Sequence, residues 1–267
     1  MTDSLNLASM DALIVEPSPM QTRIIAHACE ALGLPPPRHA PNTSDAMAAM
    51  LEKIPDVVIS ALYLPDGSGT ELVRQMRAHP LLEQVGFVLV SSETKPQALD
   101  PVRQSGICAI VPKPFSEDQL GRALENTLAL LNCETLTDTT EPLDELKVLV
   151  VDDSPNARHF IQRVLGNLGV EHFIEAGDGA QALAVLQDTL VDLVVTDYNM
   201  PEMDGQELVE YIRQRSWQRS VPILMVTSES DQSRLAAVQE AGVSGICDKP
   251  FEPDTVRRLL GRMLAGR

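Results

Sequence analysis

Aromatic residues are scarce in this chain. Its 267 residues include one Trp, three Tyr and five Phe, so any core must be built from Val, Ile, Leu and Ala. Basic residues are short as well. Lys plus Arg is 21 against 38 for Asp plus Glu, a net charge of −17. The deficit is shared. Residues 1–140 hold 9 basic and 17 acidic side chains and residues 141–267 hold 12 and 21, so the halves carry −8 and −9. An acidic surface repels nucleic-acid phosphates and anionic lipid, so neither is expected as a partner. No uninterrupted apolar run nears the ~20 residues of a membrane span. Met1 to Met10 is polar and lacks a basic n-region and a long apolar stretch, so no secretory signal is visible and a cytoplasmic location is expected. No CxxC pair occurs among Cys29, Cys108, Cys133 and Cys247. They read as reduced cytosolic thiols rather than disulfides or zinc ligands.

A repeat organises what is there. At roughly 150 residues per domain the length predicts two domains. One offset of 136 aligns Leu13-Ile14-Val15 with Leu149-Val150-Val151 and Leu32-Gly33 with Leu168-Gly169. The same offset carries Gly69-Thr70-Glu71-Leu72 onto Gly205-Gln206-Glu207-Leu208, and Lys113-Pro114-Phe115 onto Lys249-Pro250-Phe251. One ungapped offset serving such distant anchors means two copies of one domain, 10–131 and 146–267. Between them, 132–145 is polar, acidic and Thr-rich. It reads as a linker in which Pro142 blocks a continuous helix.

Within each copy, short β-branched runs alternate with segments of helical period. The runs are Ala12–Val15, Val57–Ser60 and Phe87–Val90, then Lys147–Val151, Leu193–Thr196 and Ile223–Val226. The segment Arg158–Leu168 shows the helical spacing, and Ser154-Pro155 reads as a helix cap with a proline behind it. Continuous apolar strands alternating with helices predict an α/β class, a doubly wound parallel sheet covered on both faces. Functional residues then gather outside the carboxyl ends of the strands.

Polar residues do collect there in the second copy. Asp152 and Asp153 follow its first strand, Asp197 its third, Thr227 its fourth and Lys249 its fifth. Parallel strands bring these ends into one pocket. Three carboxylates raise one another's pKa unless a cation neutralises them. A hard divalent ion with oxygen ligands, Mg²⁺ above all, suits them. Asp197 then stands as an oxygen nucleophile towards a phosphoryl group, with Thr227 and Lys249 left to hold phosphoryl oxygens. Singly, an Asp-Asp before a helix is often a cap and a Lys-Pro after a strand often a turn. Jointly, at the correct ends of successive strands, they make a site.

The stretches VLVVDDS, VTDYNMPEMDG, LMVTSES and AGVSGICDKPF span nearly the whole second copy. It resembles a response-regulator receiver domain, the chemotaxis receiver most of all. The resemblance implies a flavodoxin-like (βα)5 fold with strand order 2-1-3-4-5, an example the general rule for such sheets already includes. It implies that Asp197 is the phosphoacceptor. It implies Mg²⁺ on Asp153, Asp197 and the Asn199 backbone carbonyl, with Asp152 helping through water. It gives Thr227 and Lys249 the phosphoryl group and makes the Lys249–Pro250 peptide cis. Asn199 and Glu229 occupy the positions that tune acyl-phosphate lifetime, with Ser228 beside them. One departure stands out: Ile246 replaces the aromatic switch residue receivers usually place there.

In the first copy the offset turns Asp152, Asp153, Asp197, Thr227 and Lys249 into Glu16, Pro17, Ala61, Ser91 and Lys113. Without a nucleophile or a ligand pair, 10–131 reads as a pseudo-receiver. It serves as a folding or dimerising partner or as a docking module. Asp66 maps to Glu202, which is not a site position. Met47 and Met50 read as helix-packing residues. His27, His39, His79, His159 and His172 are expected to lie away from the strand ends.

The expected function is that of a response regulator, not an enzyme with its own substrate. A histidine kinase or histidine phosphotransfer protein phosphorylates Asp197, and the altered surface binds a protein target or passes the phosphoryl group on. No room for an output domain is expected after residue 267. The resemblance also leaves a homodimer through receiver faces open. Two alternatives compete with it. A phosphorylation-independent scaffold conflicts with the complete residue set. A haloacid-dehalogenase-type phosphatase needs an acid two residues after the nucleophile, where Asn199 stands.

Overall fold

In a computed structural model the described residues are 5–93, 95–132, 143–228, 232–249 and 253–264. Predicted positions Cys133, Pro142, Glu229 and Pro250 lie outside them. The chain divides into two compact units, Met1–Cys133 and Glu134–Arg267.

In the first unit β1 (Ala12–Val15), α1 (Pro19–Ala31), β2 (Arg38–Ala40), α2 (Thr43–Glu52) and β3 (Val57–Ser60) come first. A small antiparallel hairpin, β4 (Tyr63–Leu64) and β5 (Gly67–Ser68), precedes α3 (Gly69–Arg77). Then follow β6 (Gly86–Ser91), α4 (Pro96–Arg103), β7 (Ala109–Pro112) and α5 (Glu117–Leu131). The second unit runs β8 (Lys147–Val151), α6 (Pro155–Asn167), β9 (His172–Ala176), α7 (Gly179–Asp188) and β10 (Leu193–Thr196). It continues through α8 (Gly205–Arg215), β11 (Ile223–Thr227), α9 (Gln232–Ala241), β12 (Gly245–Asp248) and α10 (Pro253–Leu264).

The larger sheets run β2-β1-β3-β6-β7 and β9-β8-β10-β11-β12, with every pairing inside them parallel. With the hairpin set aside, both read second-first-third-fourth-fifth. This is the flavodoxin-like order, with its switch point between the first and third strands.

The central strands β1, β3, β6, β10 and β11 are buried along their whole length and largely apolar because both faces are covered, whereas edge strands such as β2, Arg38-His39-Ala40, are not. Side chains alternate across a strand. Leu13, Val15, Val58, Phe87 and Leu89 therefore face a core with Met50, Leu72 and Met76 of α2 and α3. Ala12, Ile14, Val57, Ile59, Val88 and Val90 face a second core with Ile25 of α1 and Leu120 and Leu124 of α5. Met50 is fully buried and Met47 packs beside it, as helix-packing residues should. The second unit repeats the α2–α4 side with Leu149, Val151, Leu186, Leu208, Ile212 and Val238.

Caps start the helices that carry the loops of interest. Ser154 accepts the Ala157 N–H at 3.3 Å with Pro155 behind it, and Ser18 accepts the Gln21 N–H at 3.4 Å. Each relieves one of the unbonded N–H groups of a helix's first turn. Gly205 and Gly69 open α8 and α3 against the chain that leaves the third strand. A Cβ at Gly205 would collide with the Asp197 carbonyl oxygen, and one at Gly69 would lie 2.5 Å from that of Ala61. Only glycine lets the helix approach so closely.

Candidate functional site

Backbone bonds at the carboxyl edge of the second sheet set the site. The Asp152 N–H donates to the Ala176 carbonyl at 3.1 Å, so the chain leaves β8 alongside β9. The Asp197 N–H donates to the Val151 carbonyl at 2.8 Å, and the Lys249 N–H to the Thr227 carbonyl at 2.9 Å. Thr196 Oγ1 donates to the Asp197 carbonyl at 2.9 Å. Asp152, Asp197 and Lys249 are thus each the first residue beyond a strand, pinned to its neighbour.

The side chains converge. Asp152 is wholly buried, Asp197 is 1% exposed and Thr227 is buried. Lys249 Nζ donates to Asp152 Oδ2 at 2.7 Å and lies 3.2 Å from Asp197 Oδ1. Asp152 Oδ1 accepts the Ser154 N–H at 2.9 Å, and Asp197 Oδ1 accepts the Tyr198 N–H at 2.8 Å. One carboxylate oxygen each from Asp152, Asp153 and Asp197 can lie within 4.8 Å of the other two. Asp153 is at the solvent edge. Loss of water raises its pKa above the ordinary carboxylate value, and the Asp152 charge raises it further, with Lys249 opposing. Among the described residues three carboxylates gather around the Lys249 ammonium, with the Arg158 guanidinium behind Asp152, so the acids outnumber the cations. The donor set is all oxygen and compact, which fits a small hard divalent ion.

Of the remaining predicted positions, Asn199 is exposed in the loop after β10 and Ser228 is half-buried just past β11. Ile246 lies within β12, paired with Met225 and packed against the core beside α7–α9. Glu229 and the Lys249–Pro250 peptide fall outside the described residues. In the first unit the corresponding Lys113–Pro114 peptide is cis.

The first unit repeats this frame almost bond for bond. Glu16 N–H donates to the Ala40 carbonyl at 3.1 Å, Ala61 N–H to Val15 at 2.9 Å and Lys113 N–H to Ser91 at 2.7 Å. Ser60 Oγ donates to the Ala61 carbonyl at 2.9 Å. Glu16 takes over the bonds of Asp152: its Oε2 accepts Lys113 Nζ at 2.7 Å and its Oε1 the Ser18 N–H at 3.0 Å. Pro17 projects no ligand and Ala61 no nucleophile. Ser91 is buried and its hydroxyl accepts the Glu93 N–H at 3.0 Å.

One expectation is corrected. His39 does not lie away from the strand ends: its Nε2 is 2.9 Å from the Glu16 carbonyl. The cause is strand order, because β2 lies beside β1 and their carboxyl ends adjoin. Sequence reasoning also missed the place of Asp66. Its carboxylate accepts the Thr43 and Ser44 N–H groups at 2.8 and 3.0 Å and the Ser44 hydroxyl at 2.8 Å. Those backbone bonds hold it well below the ordinary carboxylate range. Asp66 therefore ties the β4–β5 turn to the start of α2.

Comparison with known proteins agrees with this frame. The response regulator receiver domain pattern matches residues 12–125 and again 148–260. The chain belongs to this family. It is similar to chemotaxis protein CheY-3 of Vibrio cholerae, 36% identical over 118 residues, 44% of this chain and 91% of that protein. It is similar to chemotaxis protein CheY1 of Helicobacter pylori, 39% identical over 118 residues, 43% of this chain and 94% of that protein. A solved structure described as a two-component system response regulator/GGDEF domain protein is 25% identical, with 96% of this chain and 98% of that chain covered and a TM-score of 0.43. The protein is a tandem-receiver chain of two-component signalling. Among the described residues no helix is long and apolar enough to cross a membrane.

Proposed function

We propose that this receiver pair is a cytoplasmic response regulator with a single phosphoacceptor, Asp197. The observation that carries the reading is the buried Asp197 carboxylate, gathered with Asp152 and Asp153 and 3.2 Å from Lys249. A carboxylate oxygen of Asp197 attacks the phosphorus of a phosphohistidine on a kinase or phosphotransfer protein. A P–O bond forms, the P–N bond breaks, and the imidazole leaves with the electron pair and takes a proton. Lys249 and Thr227 then face the new phosphoryl oxygens. Water later hydrolyses the acyl phosphate.

Asp153, Asp197 and the Asn199 carbonyl would hold Mg²⁺, with Asp152 behind them. When bound, that ion supplies positive charge that neutralises the phosphoryl oxygens. The protein's own residues hold the acceptor still: Tyr198 N–H and Lys249 both engage Asp197 Oδ1. No separate substrate is turned over.

The first domain is read as a pseudo-receiver. It keeps the frame and the lysine–acid pair but offers no carboxylate where Asp197 and Asp153 stand. Output is by protein contact or onward phosphotransfer, with no nucleic-acid partner.

The reading is tested by intact mass after incubation with acetyl phosphate and Mg²⁺. Wild type gains one phosphoryl group and Asp197→Asn gains none. Two additions to wild type, or an unchanged addition to the variant, would refute it.

A further inference from the structure

Nothing in the role given to Asp197 accounts for Arg158. It stands on α6, six residues after Asp152, and its side chain is only 16% exposed. Nη1 donates to the Asp152 backbone carbonyl at 2.6 Å, and Nε donates to Glu175 Oε2, also at 2.6 Å. A guanidinium is planar, so the directions of these bonds are fixed relative to each other. The Asp152 carbonyl belongs to the peptide that joins Asp152 to Asp153. Holding its oxygen sets the plane from which the Asp153 side chain departs. Asp152 is already fixed by Lys249 and the Ser154 N–H, whereas Asp153 sits at the solvent edge.

The first domain supplies the contrast. The same carbonyl, that of Glu16, is met by His39 at 2.9 Å and by Thr22 Oγ1 at 3.4 Å. Thr22 and His39 are the counterparts of Arg158 and Glu175 at the offset of 136. Residue 17 there is a proline, whose ring already restricts the backbone and which has no carboxylate to aim. The charged clamp occurs in the domain that has an acid to position.

We propose that Arg158, held in place by Glu175, is a positioning residue for phosphorylation of Asp197: it fixes the Asp152–Asp153 peptide and so the aim of Asp153. This rests on the reading of Asp197 as acceptor. Charge and position predict opposite signs. Deleting a cation beside an acidic pocket would, by charge alone, tighten Mg²⁺ binding. Loss of positioning weakens it, and outer partners of metal ligands typically change affinity by about 10- to 100-fold.

The test uses the full chain and two readouts. One is Mg²⁺ binding by calorimetry without phosphodonor. The other is the Mg²⁺ concentration giving half-maximal phosphorylation by acetyl phosphate, read by intact mass. Arg158→Gln is expected to raise both Mg²⁺ requirements by about 10- to 100-fold. Arg158→Lys is expected to recover only part, because one ammonium lacks the two-pronged geometry. If Arg158→Gln does not fold by circular dichroism, Glu175→Gln replaces it and is expected to shift both values in the same direction. Requirements that stay unchanged or fall would overturn the inference. If wild type binds Mg²⁺ but takes no phosphoryl group, the acceptor reading fails, while the calorimetric shift still decides the role of Arg158.

Discussion

The Lys113–Glu16 pair offers a sharp test of what survives in the first domain. Glu16 is 5% exposed and Lys113 19%, with 2.7 Å between Nζ and Oε2. Lys113→Met removes the ammonium but leaves the carboxylate buried with only the Ser18 N–H. Uncovering one member of a buried pair costs about 3–5 kcal/mol. The partial exposure of Lys113 admits some water, so the low end, about 3 kcal/mol, is expected. The double variant Glu16→Gln with Lys113→Met removes both charges, and the side-chain amide oxygen it introduces still accepts the Ser18 N–H. Replacing both members of a buried pair is often near neutral, so the loss should fall to about 1 kcal/mol or less. The assay is urea unfolding of the full chain. At a slope of about 2 kcal/mol per molar urea the single variant moves the midpoint by about 1.5 M. Circular dichroism reports both units, whereas fluorescence of the only Trp, Trp217, reports the second. The dichroism transition should move to lower urea. A double variant as unstable as the single one would refute the argument that the isolated buried charge is what destabilises.

Other expectations follow from the same geometry. In metal-free buffer the folded chain holds the Asp153 proton more tightly than the unfolded chain does, because burial and Asp152 raise its pKa. Its contribution to stability therefore falls as pH rises from the ordinary carboxylate value through the raised one, and Asp153→Asn should remove that slope from a series of melts. Mg²⁺ competes with the same proton, so calorimetric Mg²⁺ affinity should weaken as pH falls through that window; a flat profile would contradict the assignment. Gly205→Ala drives a methyl group into the Asp197 carbonyl. It should lower the melting temperature and slow phosphorylation by acetyl phosphate, whereas Gly69→Ala should lower only the former. Asp66→Ala removes three hydrogen bonds from the start of α2, and faster amide hydrogen exchange at Thr43 and Ser44 would register the loss.

Much of this was legible because the repeat is a repeat of backbone bonds. The offset of 136 pairs Ala61 with Asp197 and Lys113 with Lys249, and the structure gives each pair the same partner. Strand positions were legible because both sheet faces are buried, which makes Ala12–Val15 and 193–195 apolar without alternation. Strand order was not in the residues; it came with the resemblance to receivers. Side-chain reach was also hidden. Glu16 is one methylene longer than aspartate, and nothing in a one-dimensional comparison says that it still reaches Lys113 and Ser18. His39 meets β1 only through lateral strand order. Asp66 contacts residues 22 and 23 positions away, and Arg158 finds Glu175 across α6 and β9. Such contacts leave no periodic trace.

The central claim is that one carboxylate in two receivers accepts the phosphoryl group. Borohydride cleaves an aspartyl phosphate and leaves homoserine at the modified position. The most direct measurement is peptide mapping of the full chain after acetyl phosphate, Mg²⁺ and borohydride. The account predicts homoserine at position 197 alone. Homoserine at any other aspartate, above all within residues 10–131, would contradict it.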